Sequence, residues 1–238
     1  MAKILPYIVL FIYTINGFAQ SDKQLLIRDM QEAKEQLVAN STTKLVVRYD
    51  MYRTHESTKI EETTVSETYL STNRYYQSIE GIHSIADGNL VAVVDEQEKY
   101  IILDRKDIDV VPALFGIEPE IAANLADGIT MKISGDLHIY TLAYEYTIYE
   151  KVVLSYSTRL KRLENVDIYY NQSFGFEDRI QDEEHPRLKV TIVSQSPMDL
   201  FPMNFQNNPF FSVNMKSRKV TPKGKYSNYS IINNWKKQ

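Results

Sequence analysis

The chain has 238 residues, 43% of them hydrophobic and 24% charged, and a formal net charge of −4. This is the composition of an ordinary globular protein, which excludes wholesale disorder and collagen-like repeats, and the mildly acidic balance argues against a nucleic-acid partner. Cysteine is absent, which excludes disulfides, cysteine-ligated metal sites, a cysteine nucleophile and a thioether-lipidated N-terminus.

Residues 1–19 have the organisation of a secretory signal peptide. A lysine precedes an apolar run over 4–15, and the small residues Gly17 and Ala19 fit a cut after residue 19. The alternative is a membrane anchor, but this run is shorter than the roughly 20 residues that a spanning helix needs. We therefore expect a mature chain of residues 20–238 that is periplasmic or secreted.

The clearest helical pattern covers residues 22–39. Apolar residues recur at 4-3-4 spacing and share one stripe: Leu26, Met30, Ala33 and Leu37. The other face is polar, and Asp22 can cap the helix. The pattern predicts an amphipathic helix whose stripe packs on another layer of the fold.

Strand patterns follow as far as residue 103. They cover residues 44–54, 59–71, 73–80, 90–94 and 100–103. Because tight turns separate them, for example at 86–89 and 95–98, they predict an antiparallel meander.

A helical insert interrupts the strands at residues 107–127. Asp107 can cap a first helix that carries Leu114 and Phe115, and Pro119 suits the first turn of a second. The pair is apolar for a surface insert, so we expect it to cover the sheet.

The second half returns to strand patterns. The longest is 137–149, in which Tyr140, Leu142, Tyr144 and Tyr146 share a face. Further strands are predicted at 152–158, 164–170, 187–194, 212–220 and 226–232. Between them lie a charged loop at 173–186 and a Met- and Phe-rich loop at 196–211 that has no periodic pattern.

Motifs for catalysis or cofactor binding are absent from the sequence. It has no G-x-S-x-G, H-E-x-x-H, G-x-G-x-x-G or phosphate-binding glycine loop. The four histidines are His55, His83, His138 and His185, and their spacing is not that of metal ligands. We expect no catalytic residues, no metal and no cofactor.

The remaining functional signal is apolar surface, which has two interpretations. One is an ordinary core, and the other is a curved sheet around a cavity for an acyl chain or apolar peptide. In the second interpretation the candidate lining residues are Tyr140, Leu142, Tyr144, Tyr146, Leu114 and Phe115, and the candidate covering residues are Phe201, Phe205 and Phe210.

Several segments in this order resemble a known family. They read KLVVRYDMYRT, YYQSIEGIHSIADGNLVAVVDEQEKYIIL, RLENVDIYY and PRLKVTIVS. With the amphipathic helix and the helical insert, they resemble the periplasmic lipoprotein-carrier superfamily of LolA, LolB and the RseB-type sensors. The strand, Asp-Gly turn and strand within 75–103 carry most of this resemblance.

The resemblance implies an α+β fold, with one domain over residues 20–238. Its sheet would be a strongly curved, antiparallel, unclosed half barrel, with the N-terminal helix and the helical insert over the concave face. It also implies non-enzymatic binding of lipid or lipoprotein acyl chains, with membrane-bound donor or acceptor proteins as partners. An arginine of an early strand holds the lid in family carriers, and Arg48 is the candidate. A protein-interaction or envelope-sensor module remains the alternative, followed by a hydrolase whose site has no recognised motif.

Overall fold

The computed structural model describes residues 21–38, 42–105, 119–172 and 184–237. The predicted signal peptide and the first helix of the insert, with Leu114 and Phe115, lie outside this part of the chain. Most of the charged loop at 173–186 also lies outside it.

The described residues form two α-helices, fourteen strands and two short 3-10 helices. In chain order these are α1 (Asp22–Val38), β1 (Thr43–Tyr52), β2 (Ile60–Ser71), β3 (Arg74–Ile79), β4 (Ile82–Asp87), β5 (Leu90–Asp95), β6 (Tyr100–Arg105), α2 (Pro119–Leu125), β7 (Gly128–Ser134), β8 (Leu137–Ala143), β9 (Tyr149–Ser157), β10 (Arg162–Tyr170), β11 (Arg187–Pro197), β12 (Phe211–Asn214), β13 (Lys219–Pro222), the 3-10 helix Gly224–Tyr226, β14 (Ser230–Asn233) and the 3-10 helix Asn234–Lys237.

Twelve of the strands form one curved, open sheet, and β12 and β13 form a separate hairpin. The order in the large sheet is β14-β6-β5-β4-β3-β2-β1-β11-β10-β9-β8-β7. Two antiparallel meanders, β1 to β6 and β7 to β11, therefore meet where β1 pairs with β11. The short strand β14 adds to β6 in parallel. This is the mostly-strand architecture that the strand patterns predicted, and the sheet is unclosed, as the family resemblance implied.

The strand predictions need corrections in four places. Residues 82–87 and 128–134 are additional strands, β4 and β7. The segment 212–220, predicted as one strand, is the β12–β13 hairpin. The predicted strand 137–149 was wrong in its second half, because β8 ends at Ala143 and the chain turns back into β9.

Hydrogen bonds close the turn that follows β8. One joins Tyr144 N to Glu150 O in the backbone. The Thr147 hydroxyl makes two more, with the backbone nitrogen and the carbonyl oxygen of Tyr149. A side chain that bonds the backbone of this segment competes with strand pairing, which explains why the alternating pattern does not continue as a strand.

The predicted amphipathic helix is confirmed as α1. All four residues of its apolar stripe are buried: Leu26, Met30, Ala33 and Leu37. Its N-terminal cap is Ser21 rather than Asp22. The Ser21 hydroxyl accepts from Gln24 N, and the Gln24 side chain accepts from Ser21 N, which is the reciprocal arrangement of a capping box.

Two hydrophobic cores lie on the two faces of the large sheet. Cross-strand partners share a face, and the register puts the core under α1 on one of them, hereafter the helix face. The helix face carries Leu45 and Val47 of β1 together with Tyr140 and Leu142 of β8.

The opposite face carries the second core at one end of the sheet. There the chain from residue 203 to residue 235 packs against β4, β5 and β6. None of the helices in the described residues combines the length and hydropathy that crossing a bilayer would require.

Candidate functional site

A buried carboxylate fixes α1 to the sheet. Asp29 is 1% exposed, and its Oδ2 accepts hydrogen bonds of 2.6 Å from the Tyr140 hydroxyl and of 2.6 Å from His138 Nδ1. Its Oδ1 lies 2.8 Å from the guanidinium of Arg28. Since a buried charge is tolerated only when it is paired and hydrogen-bonded, these partners determine where α1 sits on β8.

Two further contacts extend this anchor along the helix. The Tyr156 hydroxyl donates a 2.5 Å hydrogen bond to Glu32, which also pairs with Lys161 at 2.8 Å. At the start of the helix, Asp22 accepts a hydrogen bond from the backbone N–H of Met131 on β7. The donors to these three acceptors lie on β7 to β9 and the turn after β9, so α1 is held to the sheet over its first three turns.

The protonation states of this network follow from its geometry. Burial by itself raises the pKa of Asp29, but hydrogen bonds from Tyr140, His138 and Arg28 outweigh it and hold that pKa below its ordinary value. Burial, with the neighbouring Asp29 carboxylate, raises the pKa of Tyr140. Burial and the hydrogen bond to Glu32 raise the pKa of Tyr156 in the same way. At neutral pH the network therefore consists of an ionised carboxylate and neutral phenols.

Of the four residues predicted on the long strand, the structure buries three in one core and exposes the fourth. Tyr140 and Leu142 are fully buried on the helix face, beneath α1. Tyr144 lies in the turn after β8 and is 7% exposed; its hydroxyl donates to Ala122 O, and burial raises its pKa to about 12. Tyr146 is 91% exposed. Only the first two of the four thus share a strand face.

The three predicted covering residues belong to the other side of the sheet. Phe205 and Phe210 are buried in the second core. The Phe201 ring lies 5.4 Å from the guanidinium of Arg74, which the register of β3 also places on the opposite face. The structure therefore does not bring these rings together with Tyr140 and Leu142.

Arg48 also lies across the sheet from α1. Its neighbours Val47 and Tyr49 face α1, so alternation turns Arg48 to the opposite face. There its Nε lies 2.8 Å from Asp50 Oδ2. This placement does not support the lid-holding role that the family resemblance implied.

Sequence reasoning missed a second feature of the helix face, on β3 to β6. Five apolar residues lie on this face, where the register also places Ser84, Asp95 and Asp104 beside them. We call the five the half-buried strip: Ile79, Ile82, Val91, Val93 and Ile102. Ile79 faces Ile82 across one strand pair, and Val93 faces Ile102 across another. The signal was present in the sequence, because β5 reads LVAVVD and so has apolar residues on both of its faces.

Two open clefts among the described residues lie elsewhere, and most of the side chains that line them are polar or charged. One, of about 570 Å³, runs beside α1 and is lined largely by Arg28, Gln31, Glu32 and Glu35. Another, of about 560 Å³, follows the β12–β13 hairpin. Neither has the apolar lining that an acyl chain requires.

Comparison with known proteins finds solved structures that are similar to this chain at low sequence identity. No protein-family model matches the chain, and no curated protein sequence matches it. An uncharacterized conserved protein from Thermus thermophilus is 9% identical; the match covers 88% of this chain and 99% of that one, with a TM-score of 0.47. A LolA superfamily protein from Nitrosomonas europaea is 12% identical over 74% and 94% of the two chains, with a TM-score of 0.36.

Another similar structure is the lipoprotein LppX of Mycobacterium tuberculosis. It is 7% identical, the match covers 74% of this chain and 98% of that one, and the TM-score is 0.36. One of these structures is thus described as a member of the superfamily that the sequence resembles.

Proposed function

We propose that this protein binds lipid or lipoprotein acyl chains, without catalysis, on the helix face of its sheet. The observation that carries the proposal is the half-buried strip on β3 to β6. The strip lies beside the core under α1, and Val91 packs against that core. An acyl chain on the strip would continue the apolar surface that α1 covers on the neighbouring strands.

The two faces of the same strands differ in how completely they are covered. On the opposite face Ile85, Ala92, Val94, Ile101 and Leu103 are all 0% exposed. On the helix face the strip residues keep part of their surface exposed, and Ile82 reaches 37%. Strands with apolar side chains on both faces are typical of sheets that are covered on both sides. The strip therefore has the composition of a surface that a bound ligand would cover.

The chemistry of the strip suits an unbranched hydrocarbon. Each CH₂ group removed from water contributes about 0.8 kcal/mol, so a long acyl chain could bind tightly with few polar contacts. Tyr140 and Leu142 would join such a site only if α1 moved away from β8. Their role in binding therefore stays a prediction that depends on release of the Asp29 anchor.

The proposal includes where the protein acts and with what. Residues 20–238 would act as one lipid-binding domain outside the cytoplasm, after removal of residues 1–19. Its partners would be a lipid or lipidated protein and membrane-bound proteins that deliver or accept it. Neither a cofactor nor a nucleic acid is required.

Uptake of a fluorescent fatty acid by the purified protein tests the proposal. Val93→Asp puts a charge into the strip, where desolvation is costly, and should abolish uptake. Val65→Asp is the matched control, because Val65 is 51% exposed and lies on the opposite face of β2. It should bind the probe as the unsubstituted protein does, and circular dichroism must show that both variants are folded.

Native mass spectrometry of the protein purified without detergent complements the uptake assay. A co-purified mass in the range of a fatty acid or phospholipid supports the proposal. If the folded protein takes up no apolar probe and carries no such mass, lipid binding is wrong, and a protein-interaction module becomes the better hypothesis.

A further inference from the structure

Two histidines and a glutamate meet at one rim of the large sheet, far from one another in sequence. His55 follows the end of β1, His185 precedes the start of β11, and Glu150 lies at the start of β9. The register explains their meeting, since Tyr52 at the end of β1 pairs with Arg187 at the start of β11. Because the pairing of strands brings these residues together, no spacing motif in the sequence could indicate them.

The three side chains have the mutual distances of ligands to one ion. One ligand atom from each residue lies within 4.8 Å of the other two, and His55 Nδ1 is 3.4 Å from Glu150 Oε2. Ligands in a tetrahedral zinc site are about 2.0–2.2 Å from the metal, which puts neighbouring ligand atoms about 3.4 Å apart. The His55–Glu150 distance already matches one edge of that tetrahedron.

The hydrogen bond of the His55 ring orients it for this role. Its Nε2 lies 2.9 Å from the carbonyl oxygen of Tyr170, and since a carbonyl only accepts, Nε2 must carry the proton. In the neutral ring Nδ1 then carries a lone pair 3.4 Å from a Glu150 carboxylate oxygen, and two acceptors at this distance repel each other. A cation between them, or a second proton on the ring, removes the repulsion. Metal-bound histidines typically donate their other N–H to such a carbonyl.

The neighbouring cation Lys151 contacts the cluster at its carboxylate. Lys151 Nζ is 3.9 Å from Glu150 Oε1 and 4.3 Å from the centre of the Tyr169 ring, so its closest approach is to the carboxylate oxygen that His55 does not contact. The His55 side chain is 15% exposed and that of Glu150 is 49% exposed, so the cluster is sheltered on one side and open to solvent on the other.

The other two histidines of the chain provide a comparison. His83 Nε2 lies 3.6 Å from Glu96 Oε1, and His138 donates to Asp29. Each of these is a single imidazole beside a single carboxylate. The rim cluster differs from them in having a second imidazole.

We propose that His55, Glu150 and His185 bind a divalent transition-metal ion, with zinc as the best-suited occupant. Two imidazoles and one carboxylate are a ligand set that zinc favours, and water would complete the tetrahedron. The ion would connect the turn after β1, the start of β9 and the segment that enters β11. Because the ligands meet only in the folded chain, the ion would stabilise the fold by mass action.

Calorimetric titration of the full chain with zinc chloride tests the site, using protein without a histidine tag. We expect one zinc ion per chain and an increase in melting temperature, with no comparable response to magnesium. Glu150→Gln and His185→Gln should each weaken zinc binding by at least about 10–100-fold, the loss typical even of outer-shell residues. Cobalt should give the visible absorption bands of tetrahedral coordination.

His83→Gln is the matched control, because it removes a histidine from a His–Glu pair of similar geometry. It should leave zinc affinity unchanged. The proposal is overturned if the unsubstituted protein binds no zinc, in which case His55 and Glu150 form an ordinary ion pair. It is also overturned if zinc binding survives in both folded ligand variants, since the ion would then be bound elsewhere.

Discussion

The two cores of the molecule are covered by segments that differ in backbone structure. The helix α1 satisfies its own backbone hydrogen bonds and uses its polar side chains to reach distant strands. The contact of Asp29 with Tyr140, for example, spans 111 positions of the sequence. The segment over the second core is irregular between β11 and β12 and contains only short strands and 3-10 helices after that. Its polar side chains also reach the sheet, since the Tyr226 hydroxyl donates to Glu96 at 2.6 Å, but others bond to their own segment.

Asn208 shows what the irregular segment requires. Its amide nitrogen donates to Phe205 O at 2.9 Å, and its amide oxygen accepts from Phe210 N and Phe211 N. Buried backbone groups need partners, and side chains such as asparagine supply them where a helix or strand does not. The comparison indicates that long-range polar contacts hold both covering segments to the sheet. The irregular segment needs, in addition, local hydrogen bonds from its side chains to its own backbone.

The largest expected effect on the free energy of unfolding comes from truncating a buried residue in either core, and it tests whether the two cores unfold together. Phe211 is 0% exposed in the second core and Leu37 is 3% exposed in the first. Phe211→Ala should lower the free energy of unfolding by about 3–5 kcal/mol and Leu37→Ala by about 2–5 kcal/mol. Because β4 and β5 contribute residues to both cores, urea titrations followed by circular dichroism should show one transition in each variant.

The control for this pair is Leu200→Ala, because Leu200 is 79% exposed. Its effect should stay within about 0.5 kcal/mol. A separate early transition in Phe211→Ala, with the remainder unfolding as in the unsubstituted protein, would contradict the shared unfolding of the two cores.

A smaller effect is expected from the polar anchor of α1. Asp29→Asn keeps the shape of the side chain but removes the charge that His138, Tyr140 and Arg28 bond. Hydrogen bonds to charged groups contribute about 1.5–3 kcal/mol, so we expect a loss in that range at neutral pH. Asp199→Asn, at an exposed position, should have little effect on the same urea titration.

The pH dependence of this anchor has a definite sign. The pKa of Asp29 is lower in the folded protein than its ordinary value of 3.8. Its contribution is therefore fully present above the ordinary value and is lost as the pH falls through the folded-state value. Asp29→Asn should cost least at the lowest pH at which both proteins still fold. A difference in stability that grows on acidification would show that the anchor is not the charged carboxylate.

The same comparison explains what the sequence could predict. The stripe of α1 and the alternation of β1 and β10 are local periodic patterns, so helix, strands and the mostly-strand architecture followed from them. The position of Phe205 and Phe210 depends on which face a non-periodic loop crosses, and no local pattern determines that. The anchor at Asp29 and the cluster of His55 with His185 depend on strand register, which sets their partners.

The smallest expected effect distinguishes the buried part of the α1 anchor, at Asp29, from its more exposed part, at Glu32. Tyr156→Phe removes one hydrogen bond to Glu32, and Tyr140→Phe removes one to Asp29. The Glu32 side chain is 36% exposed and keeps its ion pair with Lys161, so water can replace the lost donor. We expect Tyr156→Phe to cost about 0.5–1.5 kcal/mol. Asp29 is too deeply buried for water to reach it readily, so Tyr140→Phe should cost more in parallel urea titrations. Equal losses would mean that the two ends are equally accessible to water, and α1 would then be held at its surface contacts as strongly as at its centre.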